Sequence, residues 1–327
     1  MSGAKLEAPF WHNRETMRGI TFNRLIACAM LLILPAIRYG LRVVTLTAGV
    51  VAVCCITEII MCLLLHCEVR INDFDSIVTG MMITALMPVN VPFYVPMISA
   101  VFALVVVKMP FGGTGHAPFS AAAAGVAFAT LSFPTQMFTY ASVESGWLNW
   151  NFFENITVTT GQSLSALLKA GVSPTSSYWS ILTGNLAGPI GTASVLVLAG
   201  AAIFLFGQRA ARWEISVAFI LAAGLMAMYN PRVSGDWMRS IICELSSGSL
   251  LFCSIFLVTE YSTTPDLPAA RWVYGALGGV LAMLFRWYGA YEQGACFSIL
   301  ILNVLADPLD RVMWKVIEWR RKRHGKE

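Results

Sequence analysis

The chain has 327 residues, of which 57% are hydrophobic and only 12% are Asp, Glu, Lys or Arg, against roughly a quarter charged in an ordinary soluble domain. A soluble fold of this length lacks the interior to hide so much apolar surface, so the composition excludes a soluble enzyme and points to a polytopic membrane protein. The formal net charge of +4 is no sign of nucleic-acid binding, because the basic residues sit in short connections and at the tail, where they set topology.

A span needs about twenty apolar residues. After a segment at 1–20, which shows no cleavable signal, the apolar runs predict ten helices at 21–39, 42–65, 74–90, 93–110, 119–138, 181–206, 213–229, 240–259, 271–287 and 294–309. Pro88, Pro92, Pro110 and Pro189 mark expected ends or bends. The expected organisation is a first five-helix unit at 21–138, a loop at 139–180, a second five-helix unit at 181–309 and a basic tail at 310–327. The tail reads as an interfacial helix anchored by Trp314 and Trp319.

With the amino terminus inside, sixteen basic residues fall on the inner side and six (Arg38, Arg42, Lys169, Arg232, Arg239 and Arg286) on the outer. This bias predicts both termini in the cytoplasm and the 139–180 loop outside. The eight cysteines lie mostly inside apolar runs, without the spacing of a zinc site or an iron–sulfur cluster, and read as small packing residues.

The chain also repeats itself. Thr84 to Pro88, an apolar helix, Phe111-Gly112-Gly113-Thr114-Gly115 and Phe119-Ser120 are echoed by Thr259 to Pro265, an apolar helix, Tyr288-Gly289-Ala290-Tyr291, Gly294 and Phe297-Ser298. The offset holds at 177 to 178 residues, a shift of five spans. An odd shift inverts the second copy, as in transport-type folds whose sites lie between the repeats.

Three places could carry chemistry. The loop contains Thr159-Thr160-Gly161-Gln162-Ser163-Leu164 and several aromatics, which suit a folded segment on one membrane face. The turn Phe111 to His116 could bring backbone amides close to a flavin or phosphate, or be only a tight interhelical turn. Glu58, deep in the second helix, is either an ion-coupling carboxylate or one end of a buried hydrogen bond. Glu244 is a weaker candidate of the same kind, and Asp73 and Asp75 read as residues capping the third helix. His116 alone is no metal ligand set. No nucleophile triad, Walker loop or dinucleotide fingerprint appears, so redox chemistry would have to come from a bound cofactor.

Lys108 to Ser120, Leu182-Thr183-Gly184-Asn185-Leu186-Ala187-Gly188-Pro189-Ile190-Gly191, Thr259 to Pro265 and Tyr291 to Asn303 together resemble, in order and over nearly the whole chain, the D subunit of Rnf electron-transport complexes (the RnfD/NqrB family). The length favours this subunit over the longer B subunit of sodium-pumping NADH:quinone reductases. The resemblance implies an inner-membrane subunit of a complex that moves electrons between ferredoxin and NAD and couples this to Na+ or H+ translocation. The implied cofactors are FMN in phosphoester linkage on the outer loop and a riboflavin or other second, non-covalent flavin within the helices. The implied partners are a dedicated flavin transferase, the flavin-bearing G subunit and the membrane A and E subunits.

The family's Ser/Thr-Gly-Ala-Thr attachment motif aligns without a gap on Thr160-Gly161-Gln162-Ser163, which puts Ser163 at the attachment position. Leu168-Lys169-Ala170-Gly171 matches the family's ending. Gln162 replaces Ala, Ser163 replaces Thr, and Glu260-Tyr261 stand where Asp-Pro is usual. Thr160, Gly161, Gln162, Ser163, Gly112, Gly113, Gly115 and Asn185 are thus the candidate cofactor-binding residues. The competing readings are an inverted-repeat transporter or channel without flavin, and a purely structural subunit.

Overall fold

A computed structural model describes residues 16–66, 73–113, 115–141, 160–172, 174, 177–184, 186–192, 194–233, 236–291 and 294–324. In chain order the helices are α1 Met17–Tyr39, α2 Leu41–Leu64, α3 Asp75–Ala85, α4 Tyr94–Phe111, α5 Ala121–Ser132, α6 Pro134–Met137, α7 Leu164–Lys169, α8 Tyr178–Thr183, α9 Val195–Gly207, α10 Trp213–Tyr229, α11 Trp237–Ser246, α12 Leu250–Leu257, α13 Pro268–Tyr288 and α14 Ala295–His324. Two short strands, β1 (Tyr140–Ala141) and β2 (Thr160–Gly161), pair antiparallel.

Among the described residues, four helices, α1, α2, α4 and α13, are long and apolar enough to cross a membrane, and the α11–α12 pair, bent by 67°, makes a fifth when counted as one span. The protein is therefore an all-helical membrane protein in outline. Each of the ten expected segments contains helix, but several are shorter than a span. α3 has 11 residues, so it rises roughly 16 Å, about half of a hydrocarbon core near 30 Å. The run expected at 181–206 is broken: α8 ends at Gly184 in the left-handed region (φ +79°), a 3-10 turn follows at Ile190–Thr192, and α9 starts only at Val195. Glycine supplies a cheap stop and Pro189 cannot continue a helix. Hydropathy sees one apolar run where the backbone makes two pieces.

The tail differs from expectation as well. α14 is continuous from Ala295 through Pro308 to His324. Its 30 residues extend about 45 Å, beyond the bilayer core. The described part of the tail is thus a continuation of the last helix.

Broken helices leave backbone carbonyls without intrahelical partners, and in an apolar surround each must find a donor. After α3 the chain runs irregularly until α4. Arg42, at the start of α2 and only 1% exposed, donates through Nε to the Val89 carbonyl (2.9 Å) and through Nη2 to that of Val91 (3.3 Å). Its guanidinium lies 5.5 Å from the Phe93 ring centre. The Met87 carbonyl accepts from the Ile190 amide at 3.0 Å.

A matching arrangement follows α12. Arg212, just before α10, donates to the carbonyls of Thr264 and Pro265 and stacks 4.9 Å from the Tyr261 ring centre. Arg24 of α1, 6% exposed, donates to the Phe256 carbonyl at 2.6 Å.

The basic residues also sort by face. Arg18, Arg24, Lys108, Arg209, Arg212 and Arg271 gather at the end where α1 begins, through contacts such as Arg18–Asp73, Arg271–Glu214 and Tyr261 to the Arg209 carbonyl. Arg38, Lys169, Arg232, Arg239 and Arg286 gather at the other end. There Arg38 donates to the Thr183 and Gly184 carbonyls and Arg239 to that of Pro174.

The α10–α13 pair packs backbone to backbone at Gly275 and Gly279, while Gly278 makes room for the Phe219 and Leu302 side chains. The spacing of Gly275 and Gly279 lets two backbones approach without side chains between them. A Cβ at Gly279 would run into the Phe219 carbonyl, and one at Gly278 would stand 2.5 Å from Leu302. Gly279→Ala is therefore expected to cost about 1–3 kcal/mol and to lower the thermal midpoint in detergent. Gly200→Ala, on an exposed stretch of α9 with nothing within 4 Å, is expected to leave it unchanged or slightly raised.

Candidate functional site

The loop motif sits where β2 joins the body. Gly161 pairs with Tyr140 and Thr160 with Ala141, and Tyr140 is buried at 2% exposure. Ser163 follows in extended conformation and caps α7, its Oγ accepting from the Ala166 amide at 3.0 Å with the Ser165 hydroxyl at 3.2 Å. This use of serine satisfies an amide at a helix start that has no other intrahelical acceptor. Ser163 is only 3% exposed, whereas Gln162 is open to the surface. α7 buries Leu164 and Leu168 against Ile181, Val233 and Cys243. Lys169, in the last turn of α7, donates to the carbonyls of Gly289 (2.9 Å) and Ala290 (2.6 Å) beyond the end of α13. The side chain of Thr160 and all of Asn185 lie outside the described residues.

The other candidates meet at the opposite end of the molecule. Glu58 on α2 is 7% exposed and lies 3.7 Å from the Nζ of Lys108, itself 2% exposed near the end of α4. Lys108 also pairs with Asp75 at 2.9 Å and donates to the Ser76 hydroxyl at 2.8 Å. Asp75 thus spends its carboxylate on Lys108, and Asp73 pairs with Arg18 at 3.0 Å. Neither is the N-cap of α3, a place taken by Phe74 in left-handed conformation. A π-helical stretch at Ala103–Lys108 leads into the buried lysine; such turns are rare and re-aim side chains.

The glycine turn closes this end. Gly112, Gly113 and Gly115 have φ of +103°, +79° and +84°, values that a side chain would oppose. Gly113 and Gly115, with Arg24, Asp75, Lys108 and Glu260, line a cavity of about 50 Å3. That volume holds a few waters; ligand pockets for ring systems run to hundreds of Å3. Burial raises the Glu260 carboxyl above the ordinary carboxylate range, an effect the nearby Arg24 guanidinium opposes. Among the described residues, no three His, Cys, Asp or Glu side chains converge as a metal site would require.

A second buried pair lies near the loop end. Glu244 on α11 is fully buried, and Arg286 on α13 is 3% exposed. Arg286 donates to the Glu244 carboxylate at 3.2 Å, to the Ser247 hydroxyl at 2.8 Å and to the Ser247 carbonyl at 2.8 Å. Arg232 adds an ion pair to the same carboxylate at 3.6 Å. Lys108 and Arg286 stand 178 residues apart, the offset of the sequence repeat. Each is a buried cation near the end of its helix, held by one or more carboxylates and a serine.

Sequence reasoning found the acids but placed Lys108, Arg286 and Arg42 at the surface, because a basic residue near a span end reads as a topology signal. The constant offset could have marked Lys108 and Arg286 as equivalent.

Comparison with known proteins settles the kinship. A family model described as "NQR2, RnfD, RnfE family" matches residues 5–317. The chain belongs to this family. It is 29% identical over 307 residues to the D subunit of the Na(+)-translocating ferredoxin:NAD(+) oxidoreductase complex of Acetobacterium woodii, covering 93% of this chain and 91% of that protein. It is 25% identical over 338 aligned positions to the D subunit of the ion-translocating oxidoreductase complex of Yersinia pseudotuberculosis, covering 93% and 94%. The protein of the same name from Klebsiella pneumoniae is 28% identical over 274 residues, covering 75% and 78%.

The cluster around the buried Lys108 gives a test. Lys108→Met leaves Glu58 and Asp75 without their cation and is expected to destabilise by about 3–5 kcal/mol, read as a lower melting point in detergent. Adding Glu58→Gln and Asp75→Asn is expected to recover a large part of that loss, because the charges then disappear together.

Proposed function

We propose that this chain is the D-type membrane subunit of an Rnf-type complex that couples electron transfer between ferredoxin and NAD to Na+ or H+ translocation. The observation that carries this reading is the end-to-end similarity to the Acetobacterium protein, over 93% of this chain. The subunit works within an ion-translocating oxidoreductase and is not catalytic alone. Its partners are the G, A and E subunits and a flavin transferase.

The reading places the chain in the inner membrane, with both termini in the cytoplasm and the 139–180 loop outside. Ten membrane segments in a five-plus-five inverted repeat are supported by paired features. Arg42 and Arg212 each hold the carbonyls of a broken segment and stack on an aromatic ring. Lys108 and Arg286 are buried cations at the repeat offset, at opposite ends of the molecule. Such repeats build a site between two halves that rock against each other.

FMN joined to Ser163 through a phosphoester would supply one- and two-electron chemistry; this chain supplies placement. The Ser163 Oγ is chemically suited to the ester, and it stands on the segment that β1 and Lys169 fasten to the body. Because that oxygen caps α7 and is 3% exposed, attachment requires the first turn of α7 to open or the loop to be modified before it docks. The cavity at Gly113 and Gly115 does not fit a flavin ring, so the riboflavin or second flavin is not assigned to that turn. Glu58, whose lysine contact at 3.7 Å is looser than that of Asp75 at 2.9 Å, is the carboxylate proposed for ion coupling.

In protein purified from cells containing the flavin transferase and then denatured, the band of this chain is expected to fluoresce, and Ser163→Ala to be dark. Fluorescence in both would move the bond to Thr159, Thr160 or another hydroxyl. A dark wild-type band would remove the covalent flavin from the reading and favour a transporter or scaffold.

A further inference from the structure

The last helix outruns the body on which it packs. α14 lies along α13, where the Tyr274 hydroxyl and the Asn303 side-chain amide are 2.9 Å apart. Two turns later the Asp310 carboxylate accepts from the amides of Asp266 and Leu267, at 2.8 and 3.1 Å, just before α13 begins. The Asp266 side chain is 92% exposed, and an open carboxylate excludes hydrocarbon at this level. Beyond Asp310 the helix continues to His324, a further 21 Å or about that at 1.5 Å per residue.

This extension is amphipathic. The helical period gathers Leu309, Val312, Met313, Val316, Ile317 and Trp319 into an arc of about 160° and sets Arg311, Lys315 and Glu318 on the opposite side. Val312, Val316 and Ile317 are nonetheless exposed, at 56%, 39% and 40%. A helix of this length draws its stability from packing such a face, and no described element of this chain buries it.

Anionic headgroups and a protein groove both suit an apolar face backed by basic residues. Height decides between them. The headgroup layer adds only about 5–7 Å to each side of the hydrocarbon core. Val316 and Ile317 stand about 9–10 Å past Asp310 along the helix, and an ordinary tilt of about 20° shortens that by roughly 6%. Apolar side chains at this height gain nothing from lipid. Helices docked in a groove use anchors at the i, i+4 spacing that Val312 and Val316 show. From Arg311 to Arg323 the chain carries six basic residues against one acid, Glu318, so the complementary groove has an acidic rim.

We propose that the apolar face of α14 beyond Asp310 docks into an apolar, acid-rimmed groove on a subunit of the complex that lies outside the bilayer on this side. This rests on the reading of the chain as one subunit of a larger complex, and not on the flavin. The extension is then an interaction arm: continuous with a helix of the membrane body, it holds the partner at a set distance and orientation from that body.

The test follows how fast a water-soluble maleimide labels Val316→Cys, with the wild-type chain giving the background from its own thiols. Glu318→Cys, on the opposite side of the helix, is the control. Two samples are compared in bilayer discs that contain anionic lipid: the complex purified through a tag on this chain, and this chain alone. Val316→Cys is expected to react roughly tenfold more slowly in the complex, because a docked groove excludes water, while Glu318→Cys changes little. Arg311→Glu combined with Lys315→Glu, both at exposed positions, is expected to restore the fast rate by repelling the acidic rim. Fast labelling of Val316→Cys in both samples would overturn the docking. Slow labelling in both would assign the face to lipid or to another part of this chain, and a disulfide between two Val316→Cys chains would assign it to a second copy; either result overturns the proposal. Protection that survives the charge reversal would overturn the acidic rim. A chain that purifies with no other subunit would remove the complex reading and the docking together.

Discussion

Carbonyl groups at broken helices, in an environment without water, are the constraint that most of this structure answers. An unmatched backbone group in an apolar surround costs several kcal/mol. The chain interrupts its helices after Ala85, between α8 and α9, between α11 and α12 and after Leu257. At three of these places an arginine from another segment brings its guanidinium to the exposed carbonyls: Arg42 to Val89 and Val91, Arg38 to Thr183 and Gly184, Arg212 to Thr264 and Pro265. The planar fork of arginine suits this work, since it presents several donors in fixed geometry and stacks on a ring at the same time.

Buried charge is the second consequence. Lys108 and Arg286 cannot be carried into the interior without compensation, and each has it in carboxylates and a serine hydroxyl. Such clusters contribute little net stability, because desolvation offsets the attraction, yet they punish any rearrangement that separates the partners. The two clusters lie at opposite ends of the molecule, one beside the glycine turn and one beside the loop.

The loop itself shows how little structure is needed to fasten a short segment to the body. One two-residue strand pair, one capped six-residue helix and one lysine on two carbonyls fasten the Thr160–Ser163 segment to the body. Rings separated by more than a hundred residues, Phe138 and Tyr291, become neighbours only through packing at the end of α13.

Much of this was legible in the chain alone. Apolar runs of span length declare a membrane protein, because only bilayer-scale burial can use them. The recurrence of Thr-to-Pro and glycine segments at a constant offset is visible in the chain itself. The glycine turn was visible because positive φ demands a particular residue type. What composition could not distinguish is a continuous helix from two half-helices, since both are equally apolar; Gly184 and Pro189 end α8 only in the context of the neighbours that accept their freed backbone groups. Nor could it tell a surface arginine from a buried one, because the difference lies in which carbonyls come within reach. Arg42, Lys108 and Arg286 have ordinary places in the sequence, and their roles were decided by the tertiary structure, which alone sets the distance between donors and the acceptors that need them.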